Sequence, residues 1–177
     1  MTKKILSLVL GAAMCLSLLA ACGTPAADPT PTPTPTEPAL TGEELAAHYK
    51  AAIEGARSDE DNQYNTVATT DEELGSIAWE MLGLSADMLD AYAVSISIMN
   101  VSAYCVGVFK PVEGQEEAVM TALQTYQQNI ETSFENYLAD QYEIAQNAKL
   151  EQLDDGTIVF VMCADQDTVY DAIVAAL

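Results

Sequence analysis

Six of the seven prolines in this 177-residue chain fall between Pro25 and Pro38, most of them in the alternating run Pro29-Thr30-Pro31-Thr32-Pro33-Thr34-Pro35. Proline fixes φ near the polyproline II value and removes an amide donor, so such a run joins neither a helix nor a sheet. Any cooperative fold is therefore confined to the residues beyond Pro38. The residues from Thr24 to Ala39, extended at about 3.1 Å each, reach up to roughly 50 Å, the dimension of a spacer. Pro-Thr runs are also substrates for O-glycosylation and ligands for proline-binding grooves. The spacer reading is adopted because the run directly follows the apolar N-terminal segment that ends at Cys22.

Lys3 and Lys4 form a short basic region, and Ile5 to Ala21 form an apolar run softened by Ser7, Gly11 and Ser17. The run is short for a membrane span and has the order of a secretory leader. It ends in Leu19-Ala20-Ala21-Cys22, followed by Gly23, which resembles the lipobox of bacterial lipoproteins, where cleavage falls just before the cysteine. The Cys22 thiol then carries a diacylglycerol. At about 0.8 kcal/mol per buried methylene, two palmitate-like chains hold a protein on a bilayer without a transmembrane helix. The alternatives are an ordinary cleaved leader and a short uncleaved membrane helix. The expected organisation is a lipoprotein signal peptide over 1–21, a lipidated cysteine and Pro/Thr spacer over 22–39, and one domain over 40–177. That domain is expected on the extracytoplasmic face of the cell membrane.

Residues 40–177 are enough chain to bury one real core and too few for two. The chain has 27 acidic and 6 basic residues, a formal net charge of −21, which becomes −23 once Lys3 and Lys4 leave with the leader. Such a charge makes nucleic acid and anionic lipid poor partners, and cations or basic surfaces better ones. An acidic face also serves simply to keep an anchored domain soluble.

The domain opens with a capping box, Thr41-Gly42-Glu43-Glu44, and an apolar face of Leu45, Tyr49, Ala52, Ile53 and Ala56. Ser58 to Tyr64 breaks that period and reads as an acidic loop. It is no calcium loop, because position six from Asp59 is Tyr64 where glycine is needed and position twelve is Thr70 where glutamate is needed. A second box, Thr70-Asp71-Glu72-Glu73, starts a helix whose stripe is Leu74, Ile77, Ala78, Met81 and Leu82, with Gly83 to stop it. Trp79, the only tryptophan, falls off that stripe on the side of Gly75 and Gly83. It is either covered by a second element or displayed as a partner-facing aromatic.

From Tyr92 the period changes to two, giving a strand through Ile98, a turn at Asn100-Val101-Ser102 and a second strand from Ala103 to Lys110, ended by Pro111. A helical stretch to about Ala148 comes next, on Val119, Leu123, Tyr126, Ile130, Phe134, Tyr137 and Ile144, with room for a break near Ala139-Asp140. A second hairpin turns at Asp154-Asp155-Gly156, and its almost wholly apolar strand Ile158 to Ala164 reads as central and covered on both faces. Asp165 or Asp167 then caps a last helix bearing Val169, Ile173 and Leu177. The expected class is α+β: two hairpins in a mainly antiparallel four-stranded sheet, each followed by a helix (β-β-α-β-β-α), behind two N-terminal helices.

The lipobox, the Pro-Thr spacer, Val106-Gly107-Val108-Phe109-Lys110, Phe134-Glu135-Asn136-Tyr137 and the closing Asp-Gly hairpin together resemble a domain-of-unknown-function family of small lipoproteins from Gram-positive bacteria. The likeness covers Asp71 to Leu177. Ala139-Asp140 stands where that family has Pro-Glu, and Ala103-Tyr104 where it has an acidic strand start. The resemblance implies surface anchoring and carries no catalytic residue.

The residues themselves offer little chemistry. His48 is the only histidine, so a zinc site of four His or Cys ligands is hard to assemble, and no Gly-x-Ser-x-Gly, phosphate-cradling loop or Cys-x-x-Cys occurs. Asp165 and Asp167 are a carboxylate pair that reads as a helix cap or, less economically, as a metal ligand pair. No catalytic residue, metal ligand or cofactor is assigned. The domain retains one histidine, three lysines and one arginine, a thin supply for proton transfer, nucleophile activation or oxyanion stabilisation. The chain therefore reads as an anchored module binding an envelope protein or ligand. The alternatives are a carboxylate-based envelope enzyme such as a glycan hydrolase, which needs only two acids in a cleft, and a cation-binding surface protein. Cys105 and Cys163 both fall in apolar strands; an oxidising exterior permits a bond between them, and free buried thiols are the reading preferred.

The anchor is directly testable. Cys22→Ala should abolish metabolic labelling with a fatty acid and leave the protein in the medium or as an unprocessed precursor. Undiminished labelling of that variant would refute the assignment.

Overall fold

The computed structural model describes residues 40–177; Cys22 and the spacer lie outside them. Three helices come first: α1 (Gly42–Ala56), α2 (Asp59–Tyr64) and α3 (Asp71–Leu82), then a single 3-10 turn over Ala86–Met88. A hairpin, β1 (Leu89–Ile96) and β2 (Cys105–Pro111), leads to α4 (Glu116–Phe134) and α5 (Ala139–Gln146). A second hairpin, β3 (Lys149–Gln152) and β4 (Ile158–Met162), precedes α6 (Gln166–Ala176). The class is α+β and all four strands pair antiparallel, in the order β1-β2-β4-β3.

The expected succession needs correcting in three places. Asp59–Tyr64 is a helix and not a loop, because Ser58 caps it: its Oγ accepts from the Asp61 amide at 3.1 Å. Three helices rather than two therefore precede the sheet. The long helix after β2 is two helices and not one, divided where the sequence left room for a break before Ala139-Asp140, since Leu138 turns extended (φ −130°, ψ 100°) between Phe134 and Ala139. The first hairpin is also shorter than its alternation suggests. Its strands stop at Ile96 and start at Cys105, and residues 97–104 form a loop on which Ile98, Met99 and Val101 are exposed.

The sheet is the middle of three layers. Its pleat sends Cys105, Phe109, Ile158, Phe160 and Met162 to one side, where Val119, Leu123, Tyr126 and Phe134 of α4 and Ala145 of α5 cover them. Val106, Val108, Val159, Val161 and Cys163 go to the other side, against Ala46, Tyr49 and Ile53 of α1 and Val169 and Ile173 of α6. Antiparallel sheets often leave one face wet. This one does not, which is why every residue of β4 is buried and its sequence loses alternation. The second hairpin closes as its Asp-Gly suggests, with Gly156 at φ 85° and the Gly156 amide donating to the Leu153 carbonyl at 2.9 Å.

Trp79 owes its position to a kink. Gly75 takes φ 77° and ψ 158° inside α3, so the two halves of the helix do not share one angular phase. A stripe continued through Gly75 misassigns the later turns: Ile77 is exposed, whereas Trp79 is half-buried and meets the edge of Tyr92 with ring centroids 5.1 Å apart at 77°.

Two predictions come from the central strands. Gly107 lies under the ring of Phe109, and a Cβ there would stand 2.6 Å from ring carbons that are fully buried. Gly107→Ala should destabilise the domain by about 1–3 kcal/mol through overpacking, read from the denaturant midpoint; unchanged stability would refute the packing. The pairing of Cys105 with Met162 puts Cys163 one residue further on and on the opposite face, so the two sulfurs are separated by the sheet itself. Both thiols are free and buried. Thiol titration of the unreduced mature protein in denaturant should find both reactive, and finding neither would contradict the register.

Candidate functional site

The two ends of the sheet differ in chemistry. At the end where β2 and β3 finish and β1 and β4 begin, an apolar cavity of about 580 Å³ is lined by Leu40, Leu45, Leu153, Val174 and Leu177, with His48 on its wall. The described chain both enters and leaves beside this cavity. Its polar side is one network. The Asp155 carboxylate accepts from the Thr157 amide (2.9 Å) and hydroxyl (2.8 Å), the Thr157 hydroxyl lies 3.2 Å from that of Tyr49, and Lys110 sits 3.5 Å from Asp155. This network ties the second hairpin turn to α1 and β2, and its groups are already satisfied by one another.

The opposite end is built differently. Arg57, the only arginine, stands directly after the last turn of α1 and is 8 % exposed. Its Nη1 donates to the Tyr104 hydroxyl at 2.7 Å, its Nε and Nη2 to Asn62 Oδ1 at 3.1 and 2.7 Å, and Nη2 also to the Asn65 carbonyl at 3.0 Å. Asn62 is held in turn by donating to the Glu54 carbonyl at 2.7 Å. One guanidinium thus locks α1, α2 and the start of β2 together with neutral acceptors alone. Among the described residues no carboxylate pairs with it.

Two adjoining cavities lie at this end, the smaller of them lined by Arg57, and they share Ile144, Ala164, Asp165 and Thr168. The smaller, about 320 Å³, has Arg57, Asp61, Tyr104, Cys163 and Asp165 on its walls. The larger, about 530 Å³, is acidic, with Asp140, Glu143, Asp165 and Asp167. The roof is positioned by Gln141, which accepts from the Ala103 amide at 2.8 Å and donates to Asp140 at 2.9 Å. That second bond holds the Asp140 carboxyl below its usual range, so it stays ionised. Burial pushes the Cys163 thiol up to about 11, leaving it protonated and unreactive at neutral pH. Gln166 presents a side-chain oxygen that is buried and finds no partner among the described residues.

The residues singled out from sequence separate here. Asp165 and Asp167 both reach the larger cavity. Asp165 stands at the start of α6 without a side-chain capping bond, and Asp167 pairs with Lys149 at 2.7 Å. Among the described residues no group of three His, Cys, Asp or Glu side chains is placed to hold a metal ion. Trp79 is not a groove residue; it packs on Tyr92, whose hydroxyl donates to Asp71 at 2.9 Å. His48 belongs to the apolar cavity at the other end. Sequence reasoning missed Arg57 and Gln141. The available signal for Arg57 was its uniqueness, a single guanidinium set directly between an apolar helix and the capping serine Ser58.

A model of the family DUF4358, a domain of unknown function, matches residues 59–163. The chain belongs to the DUF4358 family. No curated protein and no solved structure matches it. The DUF4358 segment runs from the first residue of α2 to the residue after β4, so it holds the whole sheet and the layer on the α4 side. Helices α1 and α6, which cover the other face, flank it. The groove lies on that boundary, with Arg57 just before the matched segment and Asp165 just after it.

Arg57→Ala should cost about 2–4 kcal/mol, because it strands buried polar partners as well as removing the charge. Thermal unfolding of the variant decides this: a loss under about 0.5 kcal/mol, the range of an ordinary surface change, would show that Arg57 is no keystone.

Proposed function

We propose that this DUF4358 protein is a lipid-anchored extracytoplasmic binding module whose ligand site is the groove beside Arg57. One observation carries the reading: the groove opens at the end of the sheet opposite Leu40, where the spacer joins the domain. The start of the described chain at Leu40 and the proposed recognition surface are thus kept apart by the length of the strands. Among the described residues no helix is long and apolar enough to cross a membrane; the anchor in this proposal is the lipid on Cys22. The exposed apolar residues Ile98, Met99 and Val101 sit on the loop whose base, Ser102 to Tyr104, lines the smaller cavity. An uncharged rim beside an acidic groove suits recognition better than turnover. Its cysteine is protonated, its Asp140 is held ionised, and the histidine is elsewhere.

Photo-cross-linking in intact cells tests this. A photoreactive residue at the exposed groove position Thr168 should give a discrete adduct in the membrane fraction, and the same residue at the exposed α4 position Gln124 should not. Equal labelling from both positions would count against the groove. Reproducible turnover of envelope glycans or peptides, abolished by one acid-to-amide change in a folded variant, would make the protein an enzyme instead.

A further inference from the structure

We infer that the smaller cavity binds a small zwitterion of the free amino acid or short peptide class, its carboxylate taken by Arg57 and its ammonium group by Asp165. This assignment rests on the reading of the groove as a ligand site and names what the site takes.

Arg57 has an unfilled donor. A guanidinium carries five N–H groups. Four hydrogen bonds are made by Arg57, to Tyr104, twice to Asn62 and to the Asn65 carbonyl, which leaves one N–H on Nη1 without an acceptor among the described residues. The charge itself is compensated by no carboxylate, although buried charges are ordinarily paired. Asp165 faces the same cavity, and its carboxylate makes no side-chain hydrogen bond, not even the capping bond its place before α6 invites. Asp61, the other acid on that wall, is already engaged by the Ser58 hydroxyl at 2.9 Å. Asp61, Asp165 and Arg57 all line this one cavity, together with Cys163. A cation and an anion therefore border one space, close enough to share it and too far apart to pair.

The charge balance then selects the ligand. A simple anion would meet Asp61 and Asp165, and a simple cation would meet Arg57. A molecule with both charges at its ends satisfies both walls and repels neither. The one free N–H of the Arg57 guanidinium can give a carboxylate a charge-assisted hydrogen bond, which is stronger than one to a neutral acceptor. A volume of about 320 Å³ is at the lower end for ligand sites and suits one or two residues, with Ala56, Ile144 and Val169 available to a small side chain.

The test uses the fact that Arg57 is unique: ¹⁵N-arginine labelling of the full lipidated chain in detergent gives one guanidinium signal. Dialanine and glycine are titrated to about 10 mM, which covers weak but specific binding. At least one should shift the Arg57 Nε–H signal saturably. Alaninamide-terminated dialanine should lose the effect, and N-acetyl-dialanine should bind at least about tenfold more weakly. Asp165→Asn removes no side-chain hydrogen bond of the fold, and it should weaken free dialanine by a similar factor. No saturable shift with either probe, an equal response to the amidated form, or unchanged affinity in Asp165→Asn would each overturn the inference. A Thr168 adduct in cells together with no response here would leave the binding-module reading standing with a different ligand, and so separates the two claims.

Discussion

Strands β2 and β4 pair with each other and are apolar on both sides of the pleat, so neither face of the sheet can be left to water. One face must be covered by α4 and α5 and the other by α1 and α6, which brings together chain segments from both ends of the domain. Glycine and phenylalanine cooperate within this pair. Gly107 leaves the space into which the Phe109 ring folds, an arrangement that restores apolar cover over a residue without a side chain.

Much of this was legible because it is local chemistry. Thr41 and Glu44 form their capping box, with reciprocal bonds at 3.3 and 2.9 Å. Asp155-Gly156 turns a hairpin, and the unbroken apolar run of β4 announced a central strand. The features that misled the reading were also local, but balanced between rules. The second box is only half formed: Thr70 accepts from Glu73, whereas the Glu73 carboxylate reaches back to the Thr69 amide at 2.8 Å. Ser58 followed by three acidic residues looked like a solvated loop because α2 has no apolar stripe, and a six-residue helix with no buried residue shows no period. Gly75 was readable as a helix-tolerated glycine, so its positive φ and the phase change it imposes on Trp79 were not.

The groove was less legible still, for a physical reason. Its parts are a helix end, a hairpin base, the α5 roof and the β4-to-α6 connection, and they converge only because the sheet is covered on both sides. Arg57 gave no motif, since its partners are a tyrosine, an asparagine and a carbonyl. Neutral acceptors around a buried guanidinium leave its charge available to a ligand, on a chain where carboxylates that could have neutralised it are abundant. The family match adds no activity, but it shows that the sheet and its α4-side layer are the family's part, while the groove is completed by flanking residues.

The central claim is that Leu40, where the described chain begins, and the groove proposed as the recognition surface lie at opposite ends of one sheet. Spin labels introduced as unnatural amino acids at Leu40 and Thr168, measured by dipolar spectroscopy on the full chain, test it directly. Strands β1 and β2, of eight and seven residues rising about 3.3 Å each, predict one narrow distance of roughly 20–30 Å. A distance under about 15 Å, less than the run of a single strand, would place both features at the same end and contradict the account.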